Sequence, residues 1–265
     1  MRVENLFAGE TALVTGAASN IGRGIAKALA AQGAAIIATD IDSDRGCSLA
    51  EEIRAAGGTC EFHAGDLSLP AAPETLLTAL GARLSDITVF VHSASPRRLE
   101  QWTVATVTEA EYDAMVNTNV RSGFFLARAI GQQMAARRAT DATTKRGRML
   151  FITSLHAETP RNLPHYGISK AGQTMAVKEL ARFFAPAGIR VNAIAPGAIA
   201  GGGFKADVAA MSAKVPMGRM GAAEDIANAA LALLCDRFCG YVTGTTLVVD
   251  GGIALFNWID AAGVS

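Results

Sequence analysis

The chain has 265 residues, half of them apolar, and 27 glycines, which suits one large α/β domain with many tight turns. Its 24 basic and 24 acidic residues cancel, so no electrostatic case exists for nucleic acid or an anionic membrane surface as partner. No run of about 18 apolar residues appears, which speaks against a membrane span, and the opening MRVENLFAGETALVTG lacks the regions of a signal peptide, so a cytoplasmic location is expected.

In chain order, short apolar runs alternate with longer amphipathic ones. ALVT (12–15), AAIIATD (34–40), CEFHAGD (60–66), TVFVHS (88–93), MLFITS (149–154), RVNAIAP (190–196) and LVVD (247–250) read as seven strands. They are nearly continuous in Val, Ile, Leu and Ala, as strands buried on both faces of a parallel sheet are. Helical stretches fall at 20–32, 44–56, 70–84, 109–137, 166–184 and 223–234. This alternation predicts a doubly wound parallel sheet with right-handed crossovers and helices on both faces. No repeat, low-complexity tract or linker divides the chain, so a single domain over 1–265 is expected. The polar stretch 136–148 is expected to be an exposed loop. Segment 197–222, with Gly201-Gly202-Gly203 before a short apolar helix, is expected to supply a substrate lid at about 198–222. The tail 253–265 continues with an apolar run. Cys47, Cys60, Cys235 and Cys239 form no CxxC pair and have no accompanying His or Cys cluster, so reduced structural thiols and no metal site are expected.

The first turn carries a dinucleotide signal. Strand 12–15 leads through Thr15-Gly16-Ala-Ala-Ser19-Asn20-Ile21-Gly22 into a helix, and the next strand ends in Asp40. Glycines let the backbone approach a pyrophosphate, while the helix N-terminus offers unpaired N–H groups and positive dipole; this is the context that the Rossmann fingerprint requires. Asp40 suits a ribose 2′-hydroxyl and would repel a 2′-phosphate. Ile41 is not basic, nor is any residue from Gly16 to Ile21, so NAD is expected in preference to NADP.

The stretch SLHAETPRNLPHYGISK (154–170) carries the chemistry. If Tyr166 opens a helix, Lys170 lies one turn later on the same face. An ammonium there favours the phenolate, allowing proton exchange by tyrosine. Ser154, on a separate strand end, is placed to hold the reacting oxygen. Taken alone, the Tyr–Lys spacing also fits an ordinary amphipathic helix.

With both stretches in view, the sequence resembles the short-chain dehydrogenase/reductase family over roughly residues 6–252. The resemblance rests on TGAASNIG (15–22), Asp66-Leu67, NTNVRSGFF (117–125), the Ser154, Tyr166 and Lys170 set, IRVNAIAPG (189–197) and VTGTTLVVDGG (242–252). It implies adenine contacts from Asp66 and Leu67. Cofactor contacts are implied from Ser93, Ala94 and Ser95, with Ser93 offering a hydroxyl and a backbone donor, from Pro196, Gly197 and Ile199 beside the nicotinamide, and from Tyr166 and Lys170, the lysine holding the ribose hydroxyls. It also implies that Asn119 holds a water behind Lys170 as part of a proton relay, and that the protein is a homotetramer. Three positions depart from the family pattern. Asn20 replaces a frequent glycine; His92-Ser-Ala-Ser95 stands where Asn-Asn-Ala-Gly is usual; and Gly201 replaces a threonine, so grip on the amide would pass to backbone groups of Ile199 or Ala200.

The expected activity is NAD-dependent hydride transfer to or from a secondary alcohol or carbonyl compound, such as a sugar or polyol. Local similarity to bacterial glucose dehydrogenases makes His156 a candidate for binding a sugar hydroxyl, with His165 structural. Arg97, Arg98 and Arg161 are candidates for an anionic group, and Trp102 and Trp258 for sugar stacking. Alternatives are a 3-oxoacyl reductase-like enzyme and a catalytically silent cofactor-sensing protein. The expected partner is a small-molecule substrate.

Overall fold

A computed structural model describes residues 5–97, 102–141, 145–201 and 207–255. The expected Arg98 and Trp258 contacts, Gly202 and Gly203 of the lid, and the tail from 256 lie outside them. Seven strands form one all-parallel sheet: β1 (Thr11–Thr15), β2 (Ala35–Asp40), β3 (Cys60–Ala64), β4 (Ile87–His92), β5 (Arg148–Ile152), β6 (Arg190–Pro196) and β7 (Thr246–Val249), in the order β3-β2-β1-β4-β5-β6-β7. The order reverses between β1 and β4, and a crevice opens at such a switch point, outside the carboxyl ends of the strands.

Helices cover both faces. The core on one side joins α1 (Asn20–Ala31), α2 (Ser43–Ala55) and α8 (Ala223–Leu234) to the sheet through Ile25, Leu29, Leu49, Ile226 and Leu233. On the other side, α5 (Gly123–Thr140) and α6 (Pro164–Phe184) pack Leu126, Ile130, Val177 and Phe184 against Leu13, Phe90 and Phe151. No helix among the described residues is long and apolar enough to cross a membrane. All four cysteines are free thiols, and burial pushes the Cys60 thiol up to about 11.

Two helical readings change. Stretch 70–84 is α3 (Ala72–Leu80) followed by a 3₁₀ segment, Gly81–Asp86, because Gly81 adopts φ 50° and ends the α-helical ladder. Stretch 109–137 is α4 (Glu109–Val116) and α5 joined by a π-helical turn, Asn117–Ser122. The helix then continues to Thr140, shortening the expected loop, because Arg137 in its last turn bonds the carbonyls of Ser85 and Ile87. The short helix expected within 197–222 is α7 (Val208–Ser212), and a further short one, α9 (Asp236–Cys239), follows α8.

At the amino end of the sheet, Glu10 and Arg148 form a buried pair. Arg148 Nη2 lies 2.7 and 2.6 Å from the two Glu10 oxygens, and both residues are under 5% exposed. Thr88 Oγ1 donates to Glu10 at 2.9 Å, and Arg148 Nε donates to the Leu234 carbonyl at 3.0 Å, tying β1, β4, β5 and the end of α8 together.

His92, fully buried at the end of β4, stands where the resemblance implies an asparagine, and it clamps β4 to its neighbours. Its Nε2 lies 3.0 Å from the Thr118 carbonyl, which only accepts, so Nε2 carries the proton; Nδ1 then accepts from Thr15 Oγ1 at 2.9 Å. Thr15 Oγ1 in turn accepts from the Ser93 and Ala94 amides. Burial, reinforced by the charge of Lys170, pushes the His92 imidazole down to about 3 from an ordinary 6.5. The folded protein therefore keeps His92 neutral while the unfolded chain protonates it. Its stabilising contribution is complete above pH 6.5 and is lost as pH falls toward 3, at about 1.4 kcal/mol per pH unit. Urea unfolding across this range is expected to show that slope, and His92→Asn to flatten it.

Candidate active site

Gly16 leaves β1 with φ 66°, and a side chain there would place Cβ 2.6 Å from Ala94. At Gly22, in the first turn of α1, a Cβ would lie 2.0 Å from the Gly16 carbonyl oxygen. The turn is thus closed by backbone packing that admits no side chain at either position. Asn20 takes φ 44°, the left-handed region in which asparagine stands in for glycine most readily. No side chain caps α1: Ser19 occupies the N-cap without a cap bond, so the first amides of the helix face the cleft. This cradle fits a dinucleotide pyrophosphate.

A cleft of about 1310 Å³ runs across the carboxyl ends of the strands. At one end it is lined by the glycine turn, Asp40, Ile41, Asp66 and Leu67. The Asp40 carboxylate is aimed by two backbone donors, Ala18 N–H at 2.9 Å and Asp42 N–H at 3.1 Å. Asp66 is set by the Ser68 amide at 2.9 Å. Arg45, overlooked in the sequence, also lines this end, within 3.7 Å of Asp42. The spacing Asp42–Arg45 at the start of α2 was the available signal.

The other end gathers Ser154, His156, Arg97, Arg161, Tyr166 and Lys170, with Ser93, Ala94, Ser95, Pro196, Gly197 and Ile199 along the floor. Ser154 follows β5, where Thr153 N–H bonds the Ile194 carbonyl at 2.8 Å and holds the strand end against β6. Pro164 occupies the first turn of α6, a position where its missing N–H costs no hydrogen bond, so Tyr166 and Lys170 project from the opening of the helix. Tyr166 is 8% and Lys170 2% exposed, and Lys170 Nζ lies 5.6 Å from the centre of the Tyr166 ring. His156 packs edge-on to that ring with centroids 5.4 Å apart, and its Nδ1 lies 3.0 Å from Ser154 Oγ. His165 is buried, and this burial lowers its pKa. Trp102 is not among the residues lining the cleft.

Two expectations need correction, at Ser93 and at Ala200. The Ser93 backbone donor is committed to Thr15, bonding its carbonyl and hydroxyl at 3.2 Å each, so only its side chain is left to offer. The Ala200 amide donates to the Gly221 carbonyl at 2.8 Å, because the chain forms a parallel bridge there; of the two positions, Ile199 alone lines the cleft. Asn119 is fully buried and does not line the cleft. It lies in the π-helical turn, where its Nδ2 donates to Ser169 Oγ at 2.8 Å and approaches Met115 Sδ at 3.2 Å. Behind Lys170 stands Gln173, which the sequence reading missed. It is 1% exposed, donating from Nε2 to the Asn119 carbonyl at 3.1 Å and accepting from Lys170 Nζ at 3.2 Å. Lys170 also donates to the Ile152 carbonyl at 2.8 Å. The signal was its place three residues after Lys170, on the same helix face.

A parallel sheet with a dinucleotide cradle at its switch point and a Ser–Tyr–Lys set beside it defines a nicotinamide-dependent oxidoreductase. The family model described as enoyl-(acyl carrier protein) reductase matches residues 16–254. The chain is 33% identical to the 3-oxoacyl-(acyl-carrier-protein) reductase FabG of Escherichia coli, covering 93% of this chain and 98% of that protein. It is 32% identical to the L-rhamnose 1-dehydrogenase (NAD(P)(+)) of Azotobacter vinelandii, covering 94% and 98%. A protein of Beutenbergia cavernae, provisionally assigned as an NAD(P)-dependent gluconate 5-dehydrogenase and holding NADP at low occupancy, superposes with a TM-score of 0.84 at 30% identity, over 94% of this chain and 98% of that one. The chain belongs to the short-chain dehydrogenase/reductase family.

Proposed function

We propose that the protein is an NAD-dependent dehydrogenase acting on a secondary alcohol or carbonyl group of a small substrate, with a sugar or polyol as the leading class. The observation that carries this reading is the convergence of Ser154, Tyr166 and Lys170 on one cleft with the glycine turn and Asp40. When bound, the nicotinamide supplies the hydride acceptor or donor. Tyr166 takes the hydroxyl proton during oxidation and returns it during reduction. Lys170 presents its charge beside the phenol and holds ribose hydroxyls. Ser154 donates to the substrate oxygen, which requires that His156 leave the serine proton free by donating from Nδ1 to Oγ. His156, Arg97 and Arg161 border the substrate end, and the described residues of the lid segment, 198–201 and 207–222 with α7, cover it. The relatives named as rhamnose and gluconate dehydrogenases support a polyhydroxylated substrate.

The test is NADH formation with NAD against a panel of aldoses, aldonates, polyols and simple secondary alcohols. Turnover of a polyhydroxylated compound is the expected result; silence on the whole panel with NADH still bound would remove the dehydrogenase reading. The similarity to 3-oxoacyl reductases favours a second reading, reduction of a carrier-bound 3-oxoacyl group, which a faster rate with an acyl carrier substrate would establish.

The fixed Asp40 carboxylate favours NAD, whose ribose carries a hydroxyl where NADP carries a phosphate. NAD is expected to bind at least about tenfold tighter than NADP, or ~1.4 kcal/mol. In Asp40→Ser that ratio is expected to fall toward one, as titration of each cofactor would show. On this reading the protein is a cytoplasmic, single-domain homotetramer. The exposed Ile168, Met175 and Phe183 on α6 suit a subunit contact, and sedimentation velocity reads its presence directly.

A further inference from the structure

The family resemblance places a water between Asn119 and Lys170 as part of a proton relay. Here a side chain makes that link. Gln173 Nε2 donates to the Asn119 carbonyl at 3.1 Å, and Gln173 Oε1 accepts from Lys170 Nζ at 3.2 Å. The orientation of the amide follows from its partners, since a carbonyl only accepts and an ammonium only donates. All three residues are at most 2% exposed. The Asn119 carbonyl is itself fixed: it sits in the π-helical turn, and the neighbouring Thr118 carbonyl is clamped by His92 at 3.0 Å. Two hydrogen-bonded links therefore meet at the turn, one from β1 through Thr15 and His92 to the Thr118 carbonyl and one from the Asn119 carbonyl through Gln173 to Lys170 on α6, joined by the backbone between residues 118 and 119.

We propose that Gln173 is a positioning residue that takes the place of a relay water, locking the Lys170 ammonium toward the cleft and closing the route behind it. The Ile152 carbonyl and Gln173 both accept from the Lys170 ammonium, and together they hold it while the residue lines the cleft. A water in that position could accept a proton from lysine on one side while donating another onward. An amide held between a carbonyl and an ammonium could do so only by passing through its imidic acid form. The lysine thus serves as a fixed charge, and the proton handled by Tyr166 exchanges with solvent through the open side of the cleft. This rests on the dehydrogenase reading for its role in turnover, but the lysine geometry concerns cofactor binding as well.

Two variants separate positioning from mere filling of space. Gln173→Met keeps the volume and removes both polar partners. Gln173→Ala makes a larger hole, but the hole is polar and large enough for a water that can bond both the Asn119 carbonyl and Lys170 Nζ. If Gln173 positions Lys170, the isosteric methionine is the more damaging change. It is expected to lower kcat by roughly tenfold or more and to weaken NADH binding several-fold, as loss of a hydrogen bond to a charged group does. Alanine is expected to recover most of both losses. A purely structural role predicts the opposite order, with alanine worse in proportion to its cavity; that order, or Gln173→Met indistinguishable from wild type, would overturn the proposal. NADH affinity, read by fluorescence, needs no turnover. A wild-type protein silent on every substrate would therefore count against the dehydrogenase reading, while the order of the NADH affinities would still decide the role of Gln173.

Discussion

Tyr166→Phe is expected to lower kcat by roughly 10²–10⁴-fold while NADH binding stays within about twofold of wild type. The hydroxyl is the only atom removed, and the ring keeps its packing against His156 and beneath Leu163 in a buried cluster. The loss therefore isolates proton transfer from binding. Lys170 keeps the Ile152 carbonyl and Gln173 as acceptors when the hydroxyl is gone, so its ammonium is not displaced into the cleft. Stopped-flow measurement of NADH formation, alongside a fluorescence titration with NADH, reads both quantities. A phenylalanine variant turning over at near the wild-type rate would reassign the proton to another group. His156 would be the first candidate, because its Nδ1 lies 3.0 Å from Ser154 Oγ at the same end of the cleft.

The largest effect on stability is expected at Glu10, far from the chemistry. Glu10→Ala strands the Arg148 guanidinium, which is 4% exposed, and is expected to destabilise the fold by about 3 kcal/mol, near the lower end for breaking a buried pair. The lower end applies because Arg148 keeps the Leu234 and Arg146 carbonyls, and Asp236 stands 4.0 Å away, although Asp236 is already engaged by Arg190 at 2.8 Å. Glu10→Leu combined with Arg148→Met is expected to cost less than Glu10→Ala alone. The desolvation of both charges disappears, and Leu234 O retains Arg190 as donor at 3.1 Å. Urea denaturation of the single and double variants makes the comparison; a double variant less stable than Glu10→Ala would show that the pair stabilises the fold beyond its desolvation cost.

Much of this molecule is legible in its residues because the underlying physics is local. Continuous Val, Ile, Leu and Ala runs mark the strands, and each of the seven expected is present, but only the inner ones are buried on both faces: β3 and β7, at the two edges of the sheet, stay partly exposed. The glycine turn is legible because only glycine fits at positions 16 and 22, and Asn20 because its short side chain tolerates φ 44°. Tyr166 and Lys170 are legible because a helix brings residues four apart onto one face. Helix ends were less so: the stop at Gly81 depends on one backbone angle, and the extension to Thr140 on Arg137 reaching carbonyls some 50 residues away.

By itself, then, the sequence determined the parallel α/β architecture and the place of the dinucleotide cradle, which follow from periodicity and backbone freedom, while Ser154, Tyr166 and Lys170 stood out as a set through the family resemblance. Only the tertiary structure decided the strand order that opens the cleft between β1 and β4, the clamp that neutral His92 forms across Thr15 and Thr118, and the bridge of Gln173 between Asn119 and Lys170. Those contacts join residues between 26 and 77 positions apart for His92, and 54 apart for Gln173 and Asn119. A hydrogen bond across such a separation leaves no period in the chain, because its geometry exists only after the sheet and helices have packed.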